Sequence, residues 1–195
     1  MSFRLGLTGS IGMGKSTTAQ MFRDLGHPVW DADATVHRLY APGGAAVDAV
    51  AGAFPTAREG DGIDRTRLKA ALSGDPTALA RLERIVHPLV AQDREAFIVA
   101  HADAPLIVLD IPLLFESGAP PDLDGIAVVS TDAATQRARV LARPGMTTAT
   151  LDMILARQMP DAEKRARADW IIPTDDLDGA RAAVASIARE VTTHA

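Results

Sequence analysis

An α/β fold on a parallel sheet is predicted by three features of this sequence. Short apolar runs alternate with helical patterns, the arrangement expected of parallel strands joined by crossover helices. The first run, Phe3-Arg4-Leu5-Gly6-Leu7-Thr8, passes directly into Gly9-Ser10-Ile11-Gly12-Met13-Gly14-Lys15-Ser16, a complete G-x-x-x-x-G-K-[ST] phosphate loop, and Thr17 onward reads as a helix. The third feature is spacing. After the second apolar run, which ends near Trp30, no strand-like run returns until Leu106, far more chain than one crossover helix needs. These features predict a P-loop NTPase with a five-stranded parallel sheet, a helical insertion and a second, short insertion.

Element by element, strands are expected over 4–8, 28–30, 106–110, 125–130 and 170–172. Pro28 can begin a strand but cannot donate to a ladder, so the second strand should be short. Helices are expected over 15–25, 32–40, 44–54, 65–72, 76–102, 133–142, 148–158, 161–168 and 177–193, with Pro88 breaking or kinking the longest. The implied division is a core of 1–40 with 104–142 and 169–195, a helical insertion of about 41–103, and a second insertion of about 143–168 opened by Arg143-Pro144-Gly145-Met146. Internal repeats and low-complexity linkers are absent from the sequence.

Composition narrows the function classes. Hydrophobic residues at 47% suffice for a core, and a net charge of −5 argues against a general nucleic-acid or membrane-surface binder. With no cysteine, disulfides, thiolate metal sites and cysteine nucleophiles are excluded. No apolar run approaches bilayer-spanning length and no basic segment precedes an apolar h-region, so a cytoplasmic protein is expected. Lys15, Lys69 and Lys164 are the only lysines in an arginine-rich chain, and a lysine inside the phosphate loop suits a compact charge held against phosphates.

The phosphate loop names its ligand. Backbone N–H groups of Gly9 through Thr17 can curl round phosphates at a helix N-terminus, Lys15 can reach the β- and γ-phosphates, and the Ser16 hydroxyl can ligate Mg²⁺. This predicts binding of a nucleoside triphosphate. Asp31 and Asp33 follow the second strand. In an extended segment they would face one side and offer a carboxylate to an acceptor hydroxyl; alternatively Asp33 caps the next helix and Asp31 merely ends a strand. Leu106-Ile107-Val108-Leu109-Asp110 has the pattern of a Walker B strand, in which Asp110 holds Mg²⁺ through water or else caps the strand. Ile111-Pro112-Leu113-Leu114-Phe115-Glu116 carries an apolar group out of the sheet, either to pack under the insertion or to wall a substrate pocket. Gln136, Arg139 and Arg143 share a helical face, and the two arginines either swing over a triphosphate or form a solvated face. Arg157, Arg165 and Arg167 read as surface residues, and His87 as a buried hydrogen-bonding residue or a catalyst.

Taken in order, these segments resemble the dephospho-CoA kinase family. The resemblance is carried by Leu7-Thr8-Gly9-Ser10-Ile11-Gly12-Met13-Gly14-Lys15-Ser16-Thr17, Leu25-Gly26, Asp31-Ala32-Asp33, Pro42-Gly43, Asp61-Gly62-Ile63-Asp64-Arg65, Leu82-Glu83, His87-Pro88, Pro112-Leu113-Leu114-Phe115-Glu116, Gln136, Arg139, Arg143, Gln158 and Ala168-Asp169. It implies transfer of the ATP γ-phosphoryl group to the ribose 3′-hydroxyl of dephospho-CoA, with Mg²⁺, no nucleic-acid or membrane partner, and a monomer or weak homo-oligomer. It further implies that 41–103 is the helical substrate domain receiving the CoA moiety and 143–168 a short lid, with Asp33 as the base, Lys15 and Arg143 as charge stabilisers, Ser16 as the Mg²⁺ ligand, and substrate contacts from Thr8, Asp31, Asp33, Arg65, His87 and Leu113. Arg139 joins Gly9 through Thr17 and Arg143 at the nucleotide. The chain departs from the family pattern at Ser10, Met13, Pro144 and the loop Ile172-Pro173-Thr174-Asp175-Asp176, which borders the expected adenine site.

Three other readings remain at this point. A nucleoside monophosphate kinase would need arginines gripping the acceptor phosphate and no Asp-Ala-Asp pair here. A GTP-driven switch reads guanine with N-K-x-D, which a chain without asparagine cannot contain. A non-catalytic ATP-binding regulator would not need Asp33, Lys15 and Arg143 together.

Overall fold

The computed structural model describes residues 2–73, 75–116 and 121–193. The chain forms two compact units, one running up to Asp31 and resuming at His101, the other from Ala32 to Ala100.

The first unit is built on a parallel sheet of β1 (Phe3–Thr8), β2 (Val29–Asp31), β5 (Leu106–Asp110), β6 (Gly125–Ser130) and β7 (Trp170–Pro173), in the order β2-β5-β1-β6-β7; β3 (Arg58–Glu59) and β4 (Gly62–Ile63) belong to the second unit. Central strands of a parallel sheet are covered on both faces, which is why β5 is apolar up to its terminal Asp110 and buried at every residue. The second strand lies one residue later than 28–30, because Pro28 has no N–H to give and joins only through its carbonyl, which accepts from Val108 N at 2.9 Å. Pro173 is tolerated in β7 because that strand is at the sheet edge.

Helices α1 (Lys15–Asp24) and α9 (Leu177–Thr193) lay Met21, Phe22, Val184, Ile187 and Val191 against Leu5, Leu7, Val108 and Val129. Beyond β6, α6 (Ala133–Leu141) is capped by Asp132, which accepts from Ala134 N and Thr135 N, and α7 (Thr148–Leu155) is capped by Thr147; α8 (Asp161–Arg165) follows. The apolar segment after β5 divides its work. Leu114 is buried against β1, where Gly6 has no Cβ, and Leu113 is 46% exposed.

The second unit holds α2 (Ala32–Tyr40), α3 (Val47–Ala53), α4 (Arg65–Leu72) and α5 (Ala78–Ala100), around a separate core of Leu39, Tyr40, Val47, Val50, Phe54, Leu68 and Val86. Helix α2 is tied to α5 by Thr35 Oγ1, which donates to Asp93 at 3.0 Å, and by Arg38, which donates to Asp93 at 2.9 Å. Three differences from the sequence reading have physical causes. The third helix begins at Val47 and not at 44, since Gly44 sits in a turn donating to Ala41 O at 2.8 Å. Helix α5 runs through Pro88 without breaking; Leu82, Ile85, Val86, Leu89 and Val90 pack on both sides of the proline and hold the helix together despite the missing N–H. The β3–β4 hairpin was not expected, because its strands are too short for a visible period, but Gly60 at φ +57° supplies the turn. There the separated Pro42-Gly43 and Asp61-Gly62 segments meet, Gly43 N donating to Asp61 O at 3.0 Å. No helix among the described residues is long and apolar enough to cross a membrane.

Candidate functional site

The phosphate loop leaves β1 and enters α1 in the first unit. Gly12 and Gly14 take φ of +79° and +89°, a conformation open to glycine at no steric cost. Close packing adds a second requirement: a Cβ on Gly9 would lie 2.3 Å from Val129 Cγ2, and one on Gly12 would lie 2.5 Å from Val140 Cγ2. Met13 contributes more than a backbone N–H. Its side chain is buried in the core, and its sulfur accepts from Thr131 N at 3.3 Å, so the loop is anchored from below. Ser16 and Thr17 are exposed at the helix start.

Lys15 is ion-paired through Nζ with Asp110 Oδ1. Asp110 is buried at the carboxyl end of β5, in register with Leu7 of β1 on one side and Asp31 of β2 on the other. Residues in register on parallel strands share a face, so Asp110 and the half-buried Asp31 form an acidic pair beside the phosphate-loop lysine. Asp31 therefore faces Asp110 and not Asp33, the partner expected for it in an extended segment. The chain turns helical at Ala32, so Asp31 and Asp33 are not at i and i+2 of one strand; Asp33 is exposed in the first turn of α2, in the second unit.

Arg139 and Arg143 line a recess of about 320 Å³ with Gly12, Gly14, Thr17, Thr174, Asp176 and Leu177. Arg139 is half-buried and donates to Thr174 Oγ1 at 3.1 Å and to Thr174 O; Arg143 is exposed just beyond the end of α6. Thr174 donates in turn to Met13 O at 2.8 Å, linking the last strand's loop to the phosphate loop. Beside it, Thr131 Oγ1 donates to Asp175 at 2.7 Å and Asp176 accepts from Gly179 N at 2.7 Å, so the loop that departs from the family pattern is well held.

Gln136, on the helical face it was expected to share with Arg139 and Arg143, turns to the phosphate loop. It is buried, and its Nε2 donates to Ile11 O at 2.8 Å. Gln158 Oε1 accepts from Ile11 N at 3.1 Å. Thr8 is buried and donates to Pro112 O at 3.2 Å, binding the end of β1 to the segment that presents Leu113. In the second unit Arg65 starts α4, where its charge opposes the rise that burial imposes on the Tyr40 hydroxyl, and His87 is exposed on α5 rather than buried. Arg157, Arg165 and Arg167 are exposed.

A further cluster escaped the sequence reading. Lys164 is fully buried, with Nζ 2.7 Å from Glu116 Oε1, and Met159 N donates to the same carboxylate at 2.8 Å. Burial alone would raise the Glu116 carboxyl, but Lys164, the Met159 N–H and the Lys164 charge together hold it below the ordinary glutamate value. The rarity of lysine was the available signal: two of the three lysines are the paired ones of the first unit.

Residues 3–178 match the family model described as dephospho-CoA kinase. Among curated proteins, the dephospho-CoA kinase of Jannaschia sp. (strain CCS1) is 59% identical over 192 residues, covering 98% of each chain. That of Cereibacter sphaeroides is 57% identical over 185 residues, covering 95% of this chain and 93% of its own. Among solved structures, TT1252 from Thermus thermophilus superposes with a TM-score of 0.85 at 33% identity, with 97% of each chain covered. Dephospho-CoA kinase from Campylobacter jejuni shares the fold, with a TM-score of 0.68 at 22% identity and 97% of each chain covered.

Proposed function

The chain belongs to the dephospho-CoA kinase family and is an ATP-dependent kinase of dephospho-CoA, and we propose that Lys15, Asp33 and Arg143 carry the transfer. In that reaction the ribose 3′-hydroxyl oxygen bonds to the γ-phosphorus of ATP, and the bond from phosphorus to the β–γ bridging oxygen breaks. ADP leaves with that electron pair, coenzyme A is formed, and the hydroxyl proton passes to the Asp33 carboxylate.

The observation that carries the reading is the Lys15–Asp110 pair beneath a complete phosphate loop. Lys15 is held by the buried Asp110 carboxylate beneath the loop, which orients the ammonium group that a triphosphate would meet. Arg139 and Arg143 line the recess that continues from the loop, a fitting place for the rest of the nucleotide and for charge developing on the γ-phosphoryl group. Asp33 rests on a different support: its position two residues past β2 in the Asp-Ala-Asp segment that the family resemblance singles out. Thr8, Asp31, Arg65, His87 and Leu113 belong to the acceptor side on the same ground; of these, Arg65, His87 and Leu113 are exposed.

Mg²⁺ fits the donors present, the exposed Ser16 hydroxyl together with the Asp110 and Asp31 carboxylates, all hard oxygens. An ion held there would share the oxygens of the triphosphate as well. Bound there, Mg²⁺ would neutralise phosphate charge. The reading also takes the enzyme to be cytoplasmic and a monomer or weak homo-oligomer.

The test is a mass-spectrometric assay with Mg-ATP and dephospho-CoA, with AMP and adenosine as parallel acceptors. One added phosphoryl group on dephospho-CoA alone is the expected result. Phosphorylation of AMP or adenosine instead would overturn the acceptor assignment.

A further inference from the structure

Two neighbouring residues in the segment between α7 and α8 reach in different directions. Gln158 Oε1 accepts the N–H of Ile11 at 3.1 Å, and the Met159 N–H donates to Glu116 Oε1 at 2.8 Å. Ile11 is the third residue of the phosphate loop, and its carbonyl is taken by Gln136 Nε2 at 2.8 Å. Both hydrogen-bonding groups of Ile11 are therefore fixed by side chains from outside the loop. A loop residue held on both sides cannot rotate its flanking peptides, and those peptides set the direction of the N–H groups that follow at Gly12 and Met13.

The other end of this strap is firm. Glu116 accepts from Met159 and is ion-paired at 2.7 Å with Lys164, which is fully buried in α8. A buried ion pair of this kind resists sliding, because moving either partner strands a charge away from water. Lys164 and Met159 thus grip one carboxylate from two places five residues apart in sequence, and this fixes the backbone from which the Gln158 side chain reaches Ile11.

We infer that Gln158 is a positioning residue for the phosphate loop, acting through the Ile11 peptide, and that the Glu116–Lys164 pair holds Gln158 in place. The inference rests on the kinase reading only in assigning triphosphate to the loop. The Gln158 amide oxygen is engaged on the loop backbone and so presets the cradle that receives the nucleotide.

The test uses the full chain. Gln158→Met keeps the side-chain length and removes the acceptor. Its expected effects are a five- to twentyfold rise in KM for ATP, KM for dephospho-CoA within twofold of the parent, and faster exchange of the Ile11 amide proton observed by NMR. Glu116→Gln should raise KM for ATP on its own, yet add nothing further when combined with Gln158→Met, because both act along one path. If Glu116→Gln fails to fold with Lys164 left unpaired, Glu116→Gln with Lys164→Met removes both charges together and serves in the same cycle. A folded Gln158→Met enzyme with unchanged KM for ATP and unchanged Ile11 exchange would overturn the role of Gln158. Full additivity would overturn the role of Glu116. Ile11 exchange and calorimetric titration with ADP are read without turnover, so a failure of the acceptor assignment would leave this result standing.

Discussion

Asp110 and Lys15 are ion-paired across the floor of the phosphate loop, the aspartate buried at the end of β5 and the lysine opening α1. The pair sets up a competition, since phosphate and Asp110 both seek the same ammonium group. Asp110→Asn should therefore cost stability in the nucleotide-free enzyme, about 2 kcal/mol for a lost charge-assisted bond at a mostly buried site. ATP supplies the missing counter-charge, so the rise in Tm on adding ATP should be larger in the variant than in the parent. Thermal melts with and without nucleotide check this, and an equal rise in both proteins contradicts it.

Thr174 should matter as much as any residue of the loop itself. Its hydroxyl donates to Met13 O and accepts from Arg139, so Thr174→Val strands a buried carbonyl and leaves Arg139 only its bond to the Thr174 carbonyl. Two buried hydrogen bonds place the stability loss at about 1–3 kcal/mol. KM for ATP is expected to rise about tenfold, the equivalent of roughly 1.4 kcal/mol of lost nucleotide binding. Thr174→Ser keeps the hydroxyl and should restore most of both, which steady-state kinetics and melting curves of the two variants would show.

Glycines with positive φ separate into two kinds. Gly12 combines φ +79° with a Cβ position 2.5 Å from Val140, whereas Gly26 at φ +85° has open space around it. Gly26→Ala meets only backbone strain, about 1 kcal/mol, and should leave kinetics unchanged. Gly12→Ala adds a clash that only movement of the loop or α6 relieves, so nucleotide binding should be lost. Calorimetric titration with ADP distinguishes the two, and tight binding by Gly12→Ala would contradict the packing argument.

The parts of the fold legible in the sequence were those governed by local pattern. The apolar run 106–109 announces itself, because burial on both faces demands apolar residues along the whole strand. The phosphate loop was legible because its pattern is local too. What the sequence left open depends on which strands become neighbours. Asp31 lies beside Asp110 only because β2 pairs with β5, and no local period encodes that pairing. Gln158 meets Ile11 across nearly the whole chain, and Lys164 in a short polar segment carries no sign that it is fully buried. His87 went the other way: its surroundings suggested burial, but the helix turns it outward.

Asp33→Asn tests the proposed base most directly. The residue is exposed and lies in the first turn of α2, where a neutral side chain forfeits only a small interaction with the helix dipole, so stability should change by less than about 1 kcal/mol. Loss of the proton acceptor should lower kcat by about 100-fold or more with KM for ATP nearly constant. Near-parental kcat in this variant would remove Asp33 from the role of base.

Glu116 gives the acid limb of stability a defined sign. Its carboxyl is held below the ordinary value of 4.5 in the folded protein, despite burial, by the Lys164 hydrogen bond, the Met159 N–H and the Lys164 charge. A depressed carboxyl favours the folded state above its unfolded pKa, and that contribution disappears as pH falls through the lower folded value. The window therefore opens near pH 4.5 and extends downward. Glu116→Gln cannot titrate, so the variant should be the less stable protein at pH 7, where Lys164 is left buried without its counter-charge. Below pH 4.5 the gap between the two should narrow, since protonation of Glu116 takes the same charge from the parent. Urea unfolding at a series of pH values measures that gap. A constant difference from neutral pH to pH 3 would mean that Glu116 is not depressed by Lys164, whereas a closing gap ties the strap behind the phosphate loop to one ionised carboxylate.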